Sequence, residues 1–205
     1  MFFSFDGLDG VGKTTQLELF CDWLRNAGHE VVKCYDPGST QLGEAVREIL
    51  LSGSHPIATT SEMLLFMAAR AQLVSEVIRP ALEAGQTVVS DRFLLANVVY
   101  QGHGGGLDVE TLWRIGEVAT GGIEPDLTFV LDLPVQDAAA RIARRLDRME
   151  RKGRKYTARL RDGFLSEARR RPERIAVIDA SRDVATVQAD IENLATAMLR
   201  GGSRP

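Results

Sequence analysis

Apolar residues along this chain switch between two periods. Phe2, Phe3 and Phe5 form a short run that stops at Asp6-Gly7, as a buried strand does. Past a glycine-rich turn, Leu17, Phe20 and Leu24 recur at helical spacing, and Gly28 closes that helix. Residues 31–35 predict a second strand, broken by Asp36-Pro37-Gly38-Ser39. A helix over about 43–51 follows, then a longer one over about 61–84 that Pro80 should kink or divide. A third strand over 87–90 ends at Asp91, residues 93–101 read as a helix, and 102–106 as a flexible glycine loop. Another helix spans 109–119. Residues 127–133, bounded by Pro125 and Pro134, are the most strand-like run, and a basic helical stretch comes next. A short strand at 176–178, a helix over 184–199 and a loose tail at 201–205 complete the pattern. This alternation predicts an α/β fold with a parallel sheet covered by helices on both faces, and ligands at the carboxyl ends of the strands. No repeat or linker divides the pattern, so residues 1–205 are expected to form a single domain.

Composition narrows the class. The 205 residues are 44% hydrophobic and 26% charged, which excludes disordered, collagen-like and disulfide-scaffold chains. No apolar run reaches the roughly 18 residues of a membrane helix, and no basic leader precedes Asp6, so neither a membrane anchor nor a secretory signal is expected. Cys21 and Cys34 lack the spacing of a zinc site or redox pair, which fits a reducing cytoplasm, and the scattered His29, His55 and His103 argue against a histidine metal cluster. Charge is uneven. From Arg141 to Arg174 there are 14 basic residues against 5 acidic, in a chain whose net charge is −3. Such a block implies an anionic partner or a solvated helical surface. Nucleic acid is disfavoured, because Tyr156 is the only aromatic residue between Arg141 and Arg161 and the pI is about 5.7.

The segment Gly7-Leu8-Asp9-Gly10-Val11-Gly12-Lys13-Thr14 matches G-x-x-x-x-G-K-[ST] in full, between the first strand and the first helix. The glycines let backbone N–H groups turn inward around phosphate oxygens, and the helix N-terminus adds partial positive charge. The whole run from Gly7 to Thr15 is therefore the expected nucleotide cradle. Lys13 is expected on the outer phosphates of a nucleoside triphosphate such as ATP, and the Thr14 hydroxyl on Mg²⁺. Asp91, closing a hydrophobic strand, can hold the same ion directly or through water, or can simply cap the next helix. Arg92 beside it would face developing phosphate charge.

Three classes of protein share such a cradle. A GTP switch should carry Asn-Lys-x-Asp after a late strand, which is absent here. A motor ATPase usually needs more chain and a glutamate beside the strand-end aspartate. A small kinase needs a second anion site and a basic lid that excludes water, and the Arg-rich stretch over about 141–161, with Gly153 inside it, has that composition. A kinase is favoured.

The chain resembles the thymidylate kinase family over nearly its full length. The shared segments, in order, are Asp6 to Thr15, Asp36-Pro-Gly-Ser-Thr-Gln-Leu42, Leu65-Phe-Met-Ala-Ala-Arg70, Asp91-Arg-Phe93, Tyr100-Gln101-Gly102, Pro125 to Asp132 and Asp147-Arg-Met-Glu150. The resemblance implies a three-layer kinase fold around five parallel strands, ATP and dTMP as substrates, Mg²⁺, and a cytoplasmic homodimer. It also implies thymine stacked by Phe66 and bonded by Arg70, which share a helix face; spacing alone equally allows a core Phe and a surface ion pair. Asn97, Tyr100 and Gln101 share the next helix face: an amide could pair with the thymine edge, and the Tyr ring could exclude a ribose 2′-hydroxyl. The family reading gives Asp9 the acceptor sugar and Asp36 a place in the acceptor site. The cradle lacks an arginine of its own, so the resemblance assigns transition-state cations to the lid, with Arg144, Arg145 and Arg148 as candidates and Arg141 behind them. Another nucleotide kinase, or a regulatory protein that has kept only the cradle, is the alternative. Two departures bear on the acceptor: Tyr35 stands where bacterial relatives usually carry Arg, and Ala96 where Ser is common.

Overall fold

The computed structural model describes residues 1–52, 56–142 and 153–201. Five strands, β1 (Phe2–Gly7), β2 (Val31–Tyr35), β3 (Thr87–Asp91), β4 (Leu127–Asp132) and β5 (Ile175–Asp179), form one sheet in the order β2-β3-β1-β4-β5. Every pairing is parallel, with Phe5 opposite Asp91 and Gly7 opposite Leu131. The first strand is central because all six of its residues are buried. Its alternation sends Phe3 and Phe5 to one face, where they pack against Phe20 and Phe129 with ring centroids 5.1–6.0 Å apart. Phe2 points to the other face and meets Phe93 edge-on at 5.0 Å.

Helices cover both faces. They are α1 (Lys13–Asn26), α2 (Gln41–Ser52), α3 (Thr59–Leu73), α4 (Arg79–Glu83), α5 (Leu94–Asn97), α6 (Val109–Thr120), α7 (Val135–Ala140), α8 (Arg154–Arg170) and α9 (Val184–Gly201). The long helix expected over 61–84 is divided where Pro80 predicts: a π-helical turn, Val74–Ile78, joins α3 to α4, and Pro80 sits in the first turn of α4. Asp108 caps α6 by accepting from the Thr111 N–H at 2.8 Å.

The glycine loop expected over 102–106 is corrected. Gly102 to Gly104 complete a second π-helical segment, Val98–Gly104, that continues α5. The small size of the two glycines serves packing: a Cβ on Gly102 would lie 2.9 Å from Leu112, and one on Gly104 would lie 2.6 Å from Leu160 and 2.7 Å from Tyr156, both on α8. The segment carrying Tyr100 and Gln101 is thereby pressed against the helix that follows the basic stretch. The strand ends gather Asp6, Asp91, Asp132 and Asp179 along one edge of the sheet, where the chain also reverses its direction of strand addition.

Candidate active site

A cavity of about 810 Å³ opens at that edge, large enough for more than one small ligand. Its floor is the turn between β1 and α1. Gly7 carries φ +127, and a Cβ there would lie 2.4 Å from the Leu131 carbonyl oxygen, so only glycine fits this turn. Residues Asp9 to Thr15 line the cavity, as the sequence predicts. Gly7 and Leu8 lie behind the wall instead: the Leu8 side chain is in the core, and both carbonyls accept hydrogen bonds from Lys13 Nζ, at 3.2 and 2.7 Å. Lys13 is thus folded onto its own loop, and burial together with the neighbouring Arg92 lowers its pKa.

Arg92 joins the two halves of the site. Its backbone is left-handed, φ +67, a conformation that costs energy for any residue with a side chain. Ser90 Oγ donates to the Arg92 carbonyl at 2.6 Å and helps hold that turn. The guanidinium donates to Asp9 Oδ1 at 2.6 Å, to the Gly7 carbonyl at 3.1 Å and to the Tyr100 hydroxyl at 3.3 Å, and lies 3.6 Å from Asp6. Burial works to raise the Asp9 carboxyl, but Arg92 and then Lys13 outweigh it and hold it well below the usual range. Asp6 is fully buried, and neither of its carboxylate oxygens has a hydrogen-bond partner. Burial pushes its pKa up to about 7, against the pull of Arg92 and Lys13.

At one end of the cavity stand Phe66, Arg70, Asn97, Tyr100 and Gln101, brought together from α3, α5 and the π-helical segment after it. Arg70 is 1% exposed, so it is no surface residue. Its Nε donates to Asp36 Oδ2 at 2.6 Å, its Nη1 to Asn97 Oδ1 at 3.0 Å and its Nη2 to the Phe93 carbonyl at 3.4 Å. Phe66 packs against a small cluster with Leu50 and Ala69 while lining the cavity. Tyr35 also reaches the cavity, with Arg47 over its ring at 5.5 Å and its hydroxyl donating to Glu44. Arg47, which donates to the Pro37 carbonyl at 2.9 Å, escaped sequence reasoning although it lies three residues after Glu44 on α2.

At the opposite end only Arg141 was named from the sequence; Ala180, Arg182 and Val184 were missed. Arg141, Ala180, Arg182 and Val184 form its wall, with Arg141 donating to the Ala180 carbonyl at 3.4 Å and Gln16 to that of Val184 at 3.0 Å. The turn after β5 is a strand carboxyl end, and that position alone would have marked it. Arg144, Arg145 and Arg148 lie outside the described residues. Farther along the basic stretch, Arg161 is held by Asp132 through two bonds of 2.7 and 2.8 Å.

The family model of thymidylate kinase matches residues 5–191. The chain belongs to the thymidylate kinase family. Its activity is accordingly that of a phosphotransferase, the ATP-dependent phosphorylation of dTMP. The thymidylate kinase of Symbiobacterium thermophilum is 45% identical across the whole chain and 99% of that relative. That of Rhodopirellula baltica is also 45% identical, over 91% of the chain and 76% of the relative. The crystal structure of thymidylate kinase from Ehrlichia chaffeensis superposes with a TM-score of 0.78 at 29% identity, covering 95% of this chain and 98% of that one. The cavity brings together the glycine-rich turn, Lys13 and Arg92 beside it, and the amides of Asn97 and Gln101.

Proposed function

We propose that this chain moves the γ-phosphoryl group of ATP onto dTMP inside this one cavity. The triphosphate lies on the amides of Gly10 to Thr15, with its base toward Arg141, Arg182 and Val184. The acceptor base lies between Phe66, Arg70, Asn97 and Gln101, with its sugar by Asp9 and Tyr100 and its phosphate toward Arg47 and Arg92. The observation that carries this reading is the position of Arg92, within hydrogen-bond distance of Asp9 in the cradle and Tyr100 at the acceptor end. One guanidinium so placed faces both the phosphate that leaves and the phosphate that receives.

The residues present also fit Mg²⁺. Asp91 has a buried carboxylate oxygen without a hydrogen-bond partner, and the exposed Thr14 lines the cavity. Among the described residues no cluster of three or more metal-binding side chains occurs, which suits an ion that keeps waters and takes its other ligands from phosphate. Thr14 and Asp91 would hold it, and bound there it would neutralise charge on the outer phosphates. The chain itself supplies positioning and charge: Lys13 and Arg92 surround the transferred group, and Arg144, Arg145 and Arg148 are the candidates for further cations. An arginine in such a role is worth about 10³ to 10⁵ in turnover. No strong general base is needed, since the attacking phosphate oxygen is already ionised.

Among the described residues no helix is long and apolar enough to cross a membrane. We further infer a single-domain enzyme, acting as a cytoplasmic homodimer without nucleic-acid partners, on the strength of the family resemblance. The deciding experiment is a coupled ADP-release assay with dTMP, dUMP, UMP, CMP, AMP and GMP as acceptors. Turnover is expected with dTMP, and more weakly with dUMP, because the 5-methyl group is worth only about 1–3 kcal/mol. No acceleration by any acceptor would remove the reading; preference for UMP or CMP would overturn the assignment of the base end.

A further inference from the structure

A single file of hydrogen bonds runs behind the acceptor end and crosses three elements. Glu62, in the first turn of α3, is 1% exposed and accepts from Gln101 Nε2 at 2.7 Å. Gln101 Oε1 accepts from Asn97 Nδ2 at 2.6 Å, and Asn97 Oδ1 accepts from Arg70 Nη1 at 3.0 Å. Arg70 Nε closes the file on Asp36 at 2.6 Å. Asn97, Gln101, Arg70 and Asp36 line the cavity; Glu62 does not.

The order of donors and acceptors in this file is not arbitrary. An ionised carboxylate only accepts and a guanidinium only donates, whereas a carboxamide does both and can be turned end for end. With an acceptor fixed at Glu62 and a donor fixed at Arg70, one orientation of each intervening amide satisfies every link. Turning either one sets oxygen against carboxylate or N–H against guanidinium, in a setting almost closed to water, where an unmet polar group is costly.

We propose that Glu62 is a positioning residue that, with Arg70 at the other end of the file, sets the polarity with which Gln101 and Asn97 meet a pyrimidine, doubling the cost of a turned Gln101, and so selects the edge shared by thymine and uracil over that of cytosine. The proposal rests on the reading of this end as the base site. Thymine offers an N3–H donor between two carbonyls; cytosine offers an N3 acceptor beside an amino donor. Held as it is, Gln101 keeps a second lone pair on Oε1 for a donor, and Arg70 supplies N–H groups for a carbonyl. A turned amide would offer N–H at the same place and accommodate cytosine. Glu62 acts through Gln101 and does not itself line the cavity.

The test is steady-state kinetics of Glu62→Gln, which keeps the size of the side chain and removes the obligate acceptor. The KM for dTMP and the inhibition constant of dCMP against dTMP are measured together. Their ratio is expected to shift at least tenfold toward dCMP, while the dTMP-to-dUMP preference and the KM for ATP stay at wild-type values, since uracil presents the same edge as thymine. A dCMP ratio within twofold of wild type overturns the proposal, and so does an equal shift in the dUMP preference, which would mark a merely structural role. Gln101→Leu, run in parallel, separates the two levels. If it leaves the KM for dTMP unchanged, the base-site reading falls; if it raises that KM while Glu62→Gln does not alter discrimination, only the role of Glu62 falls. Should Glu62→Gln not fold, the exchanged pair Glu62→Gln/Gln101→Glu keeps one carboxylate and an acceptor facing Asn97. It is expected to retain rejection of dCMP, and loss of that rejection overturns the proposal.

Discussion

Removing Arg70 tests the site and the fold together, and the structure says how the two effects separate. The guanidinium is buried and forms the only hydrogen bond to the Asp36 carboxylate among the described contacts, whose other oxygen already lacks a partner. Arg70→Ala therefore strands a carboxylate away from water, a loss of about 3–5 kcal/mol for a broken buried pair. For a chain of this length that corresponds to an unfolding temperature lowered by roughly 6–20 °C. Burial raises the Asp36 pKa, and Arg70 is the first group opposing it. Without Arg70 the folded-state pKa climbs further above its unfolded value. A carboxyl raised in this way contributes stability below its unfolded pKa and loses it as pH rises through the folded one. The penalty of Arg70→Ala should thus be smaller at pH 5 than at pH 8, and Arg70→Ala/Asp36→Asn should recover at least half of it. Differential scanning fluorimetry across pH reads both effects. In the same protein, KM for dTMP should rise far more than KM for ATP. A pH-independent loss, or no recovery in the double variant, would refute the stranded-carboxylate argument, and equal loss of both substrates would remove Arg70 from the base site.

Two other substitutions probe different parts of the cavity. Tyr35→Arg restores a cation beside Arg47 at the acceptor end; a charged hydrogen bond of about 1.5–3 kcal/mol should lower the KM for dTMP roughly tenfold or more, and an unchanged KM would mean that position 35 does not face the acceptor phosphate. Asp6→Asn tests the buried carboxyl next to Arg92. Folded Asp6 keeps its proton to about pH 7, against 3.8 for the unfolded group, so its stabilising contribution is present below about pH 4 and is lost on the way to pH 7. The variant cannot titrate, so its unfolding temperature should gain on wild type between pH 5 and 7.5, read in EDTA without nucleotide; parallel profiles would contradict the shift.

Local chemistry made most of the fold legible. Strand runs, the glycine that closes α1 and the division at Pro80 depend on neighbours within a few positions, and each appears where the sequence pattern puts it. Gly102 to Gly104 misled because glycine marks two different needs, backbone freedom and small size. At Gly102 and Gly104 the second applies, and at Gly104 it is set by Leu160 and Tyr156, more than fifty residues away.

The same distinction explains what could be read of the site. The cradle is contiguous, so its spacing alone reveals it. Phe66 and Arg70 share a helix face, but spacing left open whether Arg70 met solvent or ligand; the answer came from Asp36 and Asn97, which approach it only because β2, α3 and α5 meet at the sheet edge. The aim of Arg92 is less accessible still. It depends on one left-handed backbone angle, which residue type alone does not announce and which Ser90 helps to hold. Chemistry carried by consecutive residues can therefore be read from a sequence. Chemistry carried by the orientation of one side chain must wait until the elements that constrain it are seen together.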